Sequence, residues 1–262
     1  MVYQSLKNKK IIISAGASGI GLATAKICLS RGAHVYICDI DNKSLSKLNK
    51  HPHKNKRLFT YNCDASDENQ VSELFKKITK KTKKIDALIN NVGIAGPTKY
   101  LKDISIKDWK ETIDTNLNSQ FYFSKYAIPL LKKNKRGSII NISSTAGLFG
   151  FPQRSPYTAS KWAIIGLTKT LAMELGKDNI RVNSICPGSV SGERMNRVVS
   201  AKAKLLKSSS QKIKKDFESM VSLNSFVDKE DIASIAVFLL SDKSKNISGQ
   251  IISVDGNTER MI

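Results

Sequence analysis

KIIISAGASGIGLATAKICLS, residues 10–30, decides the fold. It opens on three consecutive isoleucines with no polar alternation, the pattern of a strand covered on both faces. Gly16, Gly19 and Gly21 crowd the turn that follows. Without a Cβ, glycine takes backbone conformations and close approaches denied to other residues. An alanine-rich helix comes next. Its free N–H groups and positive dipole end suit a pyrophosphate. A glycine cluster alone is a weak signal, but a strand before it and a helix after it supply the confirming context.

The rest of the chain repeats that alternation. Strands are predicted at 10–14, 34–39, 57–62, 85–90, 137–142, 180–186 and 250–255, and helices near 20–31, 43–50, 68–81, 106–133, 157–176, 194–217 and 229–241. Alternation of this kind implies an α/β fold with a parallel sheet covered on both faces and right-handed crossovers. No linker, repeat or low-complexity tract divides it, so residues 1–262 read as a single domain.

Composition narrows the function classes. No stretch approaches the length of a membrane span, and MVYQSLKNKK lacks an apolar signal core, so a cytoplasmic location is the default. Cys28, Cys38, Cys63 and Cys186 are widely spaced in or beside apolar runs and read as buried reduced thiols. His51 and His53, in HPHKNK, read as a solvated loop, and no metal site is expected. The net charge of +21 invites a nucleic-acid reading, but only eight of the 43 basic residues are arginine. Arginine is the usual reader of bases and phosphates. Diffuse lysine without an aromatic-rich basic motif reads as a solvated surface, so no specific nucleic-acid partner is expected.

Two further stretches carry chemistry. Asp39 ends the second strand, 18 residues after Gly21, where an acid accepts hydrogen bonds from an adenosine ribose. Its charge would repel a 2′-phosphate. No base stands at 40–42, and Ser18 rather than a base precedes Gly19, so NAD is expected over NADP. In SPYTASKWAIIGLTKTLAMEL, residues 155–175, Tyr157 and Lys161 stand four apart behind Pro156, which suits a helix start. Residues i and i+4 share a helix face. A fixed positive charge beside a phenol favours phenolate. The pair alone would suit an amphipathic surface equally well.

Taken together, these motifs resemble those of the short-chain dehydrogenase/reductase family from Lys10 to Asp255. The glycine motif matches SAGASGIG, the Asn-Asn-Ala-Gly motif matches Asn90 to Gly93 with Val92 in place of alanine, and Tyr-x-x-x-Lys matches Tyr157 to Lys161. Pro187–Gly188 and Asp255–Gly256 match the family's later motifs. The resemblance implies a single Rossmann-type, doubly wound sheet of about seven strands and a homotetramer pairing helices 106–133 and 157–176. It implies a catalytic set of Asn116, Ser144, Tyr157 and Lys161: Tyr157 as base, Ser144 on the substrate oxygen, Lys161 on the nicotinamide ribose, and Asn116 on a proton-relaying water. Cofactor contacts are implied at Ser14, Gly16, Ser18, Gly19, Ile20, Asp39, Asp64, Asn90, Gly93, Tyr157, Lys161, Pro187, Gly188 and Val190. Asp64 suits a turn cap nearly as well as an adenine contact, Ser144 suits a strand-end cap, and Asn90 and Asn116 suit structural roles.

Three positions depart from the family pattern. Ser14–Ala15 stands where Thr-Gly is usual, Gly192 where many members place a threonine against the carboxamide, and Asn257 where a second glycine often follows Asp-Gly. The carboxamide then falls to Val190, Ser189 or Ser191. Substrate selectivity is expected between Ser144 and Tyr157 and in a lid near 189–226. Arg154, with Arg194 and Arg197 on one helix face, is a candidate anion-binding set, followed by Lys202 and Lys204. The reading is an NAD-dependent oxidoreductase acting on a secondary alcohol: a sugar, polyol or anionic hydroxy compound. Its alternatives are a 3-oxoacyl thioester reductase and a non-catalytic NAD-binding regulator.

Overall fold

The computed structural model describes residues 5–261; residues 1–4, part of the segment read above for a signal core, and residue 262 lie outside the described residues. Strands β1 (Lys10–Ser14), β2 (His34–Asp39), β3 (Leu58–Asn62), β4 (Ala87–Asn90), β5 (Gly137–Ile142), β6 (Ile180–Pro187) and β7 (Ile251–Val254) form one sheet in the order β3-β2-β1-β4-β5-β6-β7. Every pairing is parallel. The order reverses between β1 and β4, which opens a crevice outside the carboxyl ends of the strands.

The isoleucine run of β1 is buried on both faces. Ile11 and Ile13 enter one core with Ala25, Cys28 and Leu29 of α1 (Gly19–Ser30) and Ile232, Ala236 and Val237 of α9 (Lys229–Leu240). Ile12 enters the opposite core with α3 (Glu68–Lys81), α5 (Ser119–Lys132) and α6 (Ser155–Leu175) through Phe75, Phe123 and Leu171. Each such side chain contributes about 1.5–3 kcal/mol on burial. Cys28, Cys38, Cys63 and Cys186 are buried and free. No helix among the described residues is long and apolar enough to cross a membrane.

Several expected elements differ. The helix expected over 43–50 is α2 (Asn42–Lys47) followed by a 3₁₀ turn, Leu48–Lys50. That over 106–133 is α4 (Ile106–Ile113) and α5, joined by a π turn, Asp114–Asn118. The helix expected over 194–217 is two, α7 (Glu193–Leu205) and α8 (Ser210–Ser219). Lys207 takes φ +50° between them, and Ser209 caps α8 by accepting from Lys212 N at 3.1 Å. These two helices share a small core, Val199, Ala203, Ile213 and Phe217, against which Phe151 packs.

The turn after β1 holds one strained residue. Ala15 takes φ +49°, as does Gly19 at +52°. Glycine reaches this region freely, whereas a Cβ costs about 1–2 kcal/mol there. Ala15→Gly should therefore stabilise the cofactor-free protein by about 1 kcal/mol, net of the added unfolded-state entropy. For a chain of this size that is a rise of roughly 2 °C in Tm. Unchanged or lower Tm in a calorimetric scan would count against the strain.

Candidate active site

The carboxyl ends of the strands bring most of the sequence-predicted residues to one edge. At the nucleotide end, a Cβ on Gly19 would meet nothing within 4 Å, so the turn leaves a cradle in front of α1. Gly21 is needed for a different reason: its Cβ would lie 2.4 Å from the Ala15 carbonyl oxygen. The first turn of α1 carries no acid, and the N-cap Ser18 makes no side-chain cap bond. Ile20 leans on the core. Asp39 is 8% exposed and accepts from Ala17 N at 3.0 Å through Oδ2 and from Asp41 N at 3.1 Å through Oδ1. Each oxygen keeps a lone pair for a ribose. These features fit a dinucleotide.

Other predicted contacts are spent on structure. Ser14 Oγ accepts from Asn91 N at 3.0 Å and bonds the Ile89 carbonyl at 3.4 Å, tying β1 to β4. Asn91, a residue the sequence reading passed over, also donates to the Ala15 carbonyl at 3.0 Å. Asn90 is fully buried, and its amide donates to Ser124 Oγ and Asn141 Oδ1. Asp64 Oδ1 caps a turn by accepting from Ser66 N and Oγ. Gly188 N donates to Val254 O, which closes the end of β6 after Pro187. The bridge between Val190 and Val227 uses Ser189 O and Ser191 N. That leaves the Val190 N–H and C=O for a ligand on the other edge. Gly192, where a threonine is usual, has φ +135°, a value that a side chain would strain.

Lys161 sits at the centre. It is 3% exposed, and its Nζ donates to Ile142 O at 3.0 Å at the end of β5. Its ammonium lies 5.6 Å from the Tyr157 ring centroid. Gly93 faces the same group: a Cβ there would lie 3.3 Å from Asn116 Oδ1 and 3.5 Å from Lys161 Nζ. Asn116, fully buried in the π turn, accepts from Ile94 N at 2.7 Å and donates to Ile94 O and Ser160 Oγ. Ser160 Oγ donates in turn to Tyr157 O at 2.7 Å. Ser144 follows β5, and its Oγ accepts from Ala146 N at 3.1 Å.

Of the three candidate arginines, two reach Tyr157. Arg154 Cζ is 5.1 Å and Arg194 Cζ 5.9 Å from its ring centroid. Arg154 is 3% exposed and donates to Ala95 O at 2.6 Å and Thr98 Oγ1 at 3.4 Å. Arg194 reaches from α7 to Gly93 O at 3.1 Å. Arg197 does not join them: it is exposed and pairs with Glu193 at 3.9 Å. Lys202, which the sequence reading placed with Lys204 behind the candidate arginines, is 3% exposed and lies 5.3 Å from the Phe151 centroid. Lys204 remains exposed.

Comparison with known proteins identifies the family. Residues 14–257 match the family model described as enoyl-(acyl carrier protein) reductase. The chain belongs to the short-chain dehydrogenase/reductase family. It is 33% identical over 255 residues to a 3-oxoacyl-[acyl-carrier-protein] reductase, FabG, of Thermotoga maritima, covering 96% of this chain and 98% of that protein. It is 30% identical over 249 residues to a meso-2,3-butanediol dehydrogenase of Serratia marcescens, covering 95% and 94%. The crystal structure of an NAD+-bound xylitol dehydrogenase superposes with a TM-score of 0.91 at 28% identity, covering 95% of this chain and 98% of that one. The short-chain dehydrogenase/reductases are oxidoreductases, and their fold binds a nicotinamide cofactor.

Electrostatics set Tyr157 apart from other tyrosines of this family member. Burial alone raises Tyr36, and it raises Tyr61 to about 12 with help from Tyr36. Burial also acts upward on Tyr157, but Lys161, Arg194, a hydrogen bond with Ser144 and then Arg154 outweigh it, so the phenol is lowered. Lys161 is itself lowered by burial, with Tyr157 opposing and Arg194 reinforcing the shift. Burial, opposed by Tyr157 and aided by Arg194, lowers Arg154 to about 10, which leaves it charged at neutral pH. Ultraviolet titration should reveal one tyrosine ionising below the usual value of about 10. Its absence from Tyr157→Phe would assign it. Arg194→Gln removes a cation that favours phenolate and should move the step to higher pH. Superimposable curves for all three proteins would refute this account.

Proposed function

We propose that the protein is an NAD-dependent oxidoreductase that moves a hydride between a secondary alcohol and the nicotinamide, with Tyr157 as the base. The observation that carries this reading is the set of three cations within 6 Å of the half-buried Tyr157 ring. An unperturbed phenol is too weakly acidic to serve as a base near neutral pH, and moving it there takes about 4 kcal/mol of favourable electrostatics. Against the effect of burial, Lys161, Arg194 and Arg154 act in that direction and lower the phenol.

The remaining groups divide the work by their free valences. The Ser144 hydroxyl accepts from Ala146 N and bonds Tyr157, and its proton would turn to the substrate oxygen when substrate stands between them. Lys161 commits one N–H to Ile142 O and keeps others for the ribose and a water. Asn116 has committed both amide hydrogens, so it can hold the relay water only through a carbonyl lone pair or its main chain. Bound NAD would supply the carbon that accepts or returns the hydride. Gly19, Asp39 and the Val190 backbone would hold it, and the segment near 189–226 would cover the substrate. The NAD+-bound xylitol dehydrogenase supports the cofactor choice, and Asp39 supports it from this chain. We also infer a homotetramer, because Phe121 and Trp162 are about half exposed and Met173 is 84% exposed on α5 and α6. A monomeric mass by light scattering would overturn that.

The relatives named 3-oxoacyl reductases favour a second reading, reduction of 3-oxoacyl thioesters. Cofactor preference separates the two. NAD should give the higher kcat/KM, and Asp39→Asn with Ile40→Arg, a change at an exposed position, should move preference towards NADP. Tyr157→Phe should lose turnover by a factor on the order of 10²–10⁴ while binding NADH as wild type does. Better turnover with NADPH on thioesters would replace the first reading with the second. A Phe variant within about tenfold of wild type would remove Tyr157 as base, and NADH binding without turnover of any alcohol would point to a regulator.

A further inference from the structure

Positive charge gathers at this site: Arg154 and Arg194 join Lys161 around Tyr157. Among the described residues, no carboxylate lies within ion-pair distance of Arg154 or Arg194. The acids on neighbouring segments are engaged elsewhere: Glu193 with Arg197 and Asp108 with Lys99. Arg154 is nonetheless 3% exposed, and its Nε–H is buried with no hydrogen-bond partner. A buried cation without a counter-charge costs several kcal/mol, and an orphaned buried donor adds to that.

A purely structural role does not account for the charge. Arg154 does clamp α6 to the loop at residues 95–98, through Ala95 O and Thr98 Oγ1. Neither bond requires a charge, and the Nε–H makes none. Lys202 is a further cation close by. It lies buried over Phe151, the ring that Arg154 also flanks at 5.5 Å. Burial and Arg154 lower Lys202, and only Asp216 acts the other way. Arg194 approaches from the lid side. Each of these groups gains if an oxyanion enters between them.

We propose that Arg154, Arg194 and Lys202 form an oxyanion subsite, and that the substrate is a compact hydroxy compound bearing a carboxylate, sulfonate or phosphate close to its carbinol carbon. This rests on the hydride-transfer reading for its reacting end. Compactness follows from distance: both guanidinium groups lie within 6 Å of the centroid of the ring whose hydroxyl would take the carbinol proton. A neutral 3-oxoacyl thioester would leave Arg154 and Arg194 with no carboxylate beside the reacting atoms. Arginine forks suit planar and tetrahedral oxyanions alike, so the three charged groups share one chemistry, and the choice of probe separates them.

Calorimetric titration of the NADH-loaded enzyme with propionate, ethanesulfonate and inorganic phosphate, against neutral propanol, tests the subsite without turnover. At least one oxyanion should bind at least tenfold more tightly than propanol. Arg154→Met, Lys202→Met and Arg194→Gln should each weaken that oxyanion at least fivefold and leave propanol unaffected. Arg197→Gln should bind as wild type does. If Arg154→Met fails to fold, the exposed Arg194 and the length-preserving Lys202→Met decide the matter. Equal binding of propanol and the oxyanions, or the same affinities in every variant, would overturn the subsite. Oxyanion binding with no hydride transfer on any hydroxy acid would overturn the reaction instead and leave the subsite standing. Turnover of neutral alcohols without oxyanion binding would do the reverse.

Discussion

A lysine ammonium taken out of water is the constraint around which the site is arranged. Burial of such a group costs several kcal/mol unless its protons and charge are satisfied. Lys161 is held from both ends: Nζ donates to Ile142 O, and its own carbonyl accepts from Ser143 Oγ at 2.8 Å. Those two acts fix α6 against the end of β5. They also leave no room beside it, since a Cβ at Gly147 would lie 2.8 Å from the Lys161 carbonyl oxygen. The ammonium is lowered by burial while Tyr157 opposes that shift, and the phenol is lowered by the ammonium against burial. Each ionisation therefore makes the other less costly. A fully exposed pair at the same spacing would interact weakly.

From that centre a connected set of hydrogen bonds reaches Arg154. The π turn places Asn116 inward, where its amide closes on both the N–H and the C=O of Ile94. Ala95 follows in the chain, and its carbonyl accepts from Arg154. Arg154 lies just before α6, so the chain of contacts returns to Tyr157 through Ser160. Asn116 thus stands structurally for the loop that positions a buried cation, whether or not it holds a relay water. The interruption in the helix is local irregularity at a functional edge, the usual place for a π turn.

The sheet was legible because all-parallel strands are buried on both faces and read as unbroken apolar runs; β1, β2 and β5 fall at their expected limits. The break in α4–α5 was not, because DTNLN carries no helix-breaking residue and the inward turn depends on Ile94, distant in sequence. The α7–α8 break had a readable cue in the serines at 208–210, one of which caps α8. Arg197 likewise had a cue: Glu193 stands four residues before it, the spacing of a surface pair. Lys202 was grouped with the arginines on charge alone, and its burial against Phe151 and Phe217, which sets it apart from the exposed Lys204, had no cue in the sequence. Ser14 was misleading for the same reason, since its hydroxyl is committed to Asn91 and Ile89 across the sheet.

The three departures from the family pattern share one physical basis, left-handed backbone. Asn257 takes φ +65°, a region that asparagine tolerates better than most residues, and its amide donates to Ser222 Oγ at 2.7 Å. Substituting it for glycine therefore costs little and fastens the last turn to the segment after α8. Gly192 runs the other way. At φ +135° it gives up a threonine hydroxyl and gains a turn that carries Arg194 across the crevice to Gly93. A threonine there would be strained in this backbone, so the carboxamide contact and the arginine reach compete for one position. Ala15 alone gains nothing visible from its conformation, although its carbonyl is held by Asn91. The chain thus carries, where many relatives place a threonine hydroxyl, a turn that lays Arg194 against Gly93 beside the Tyr157 ring.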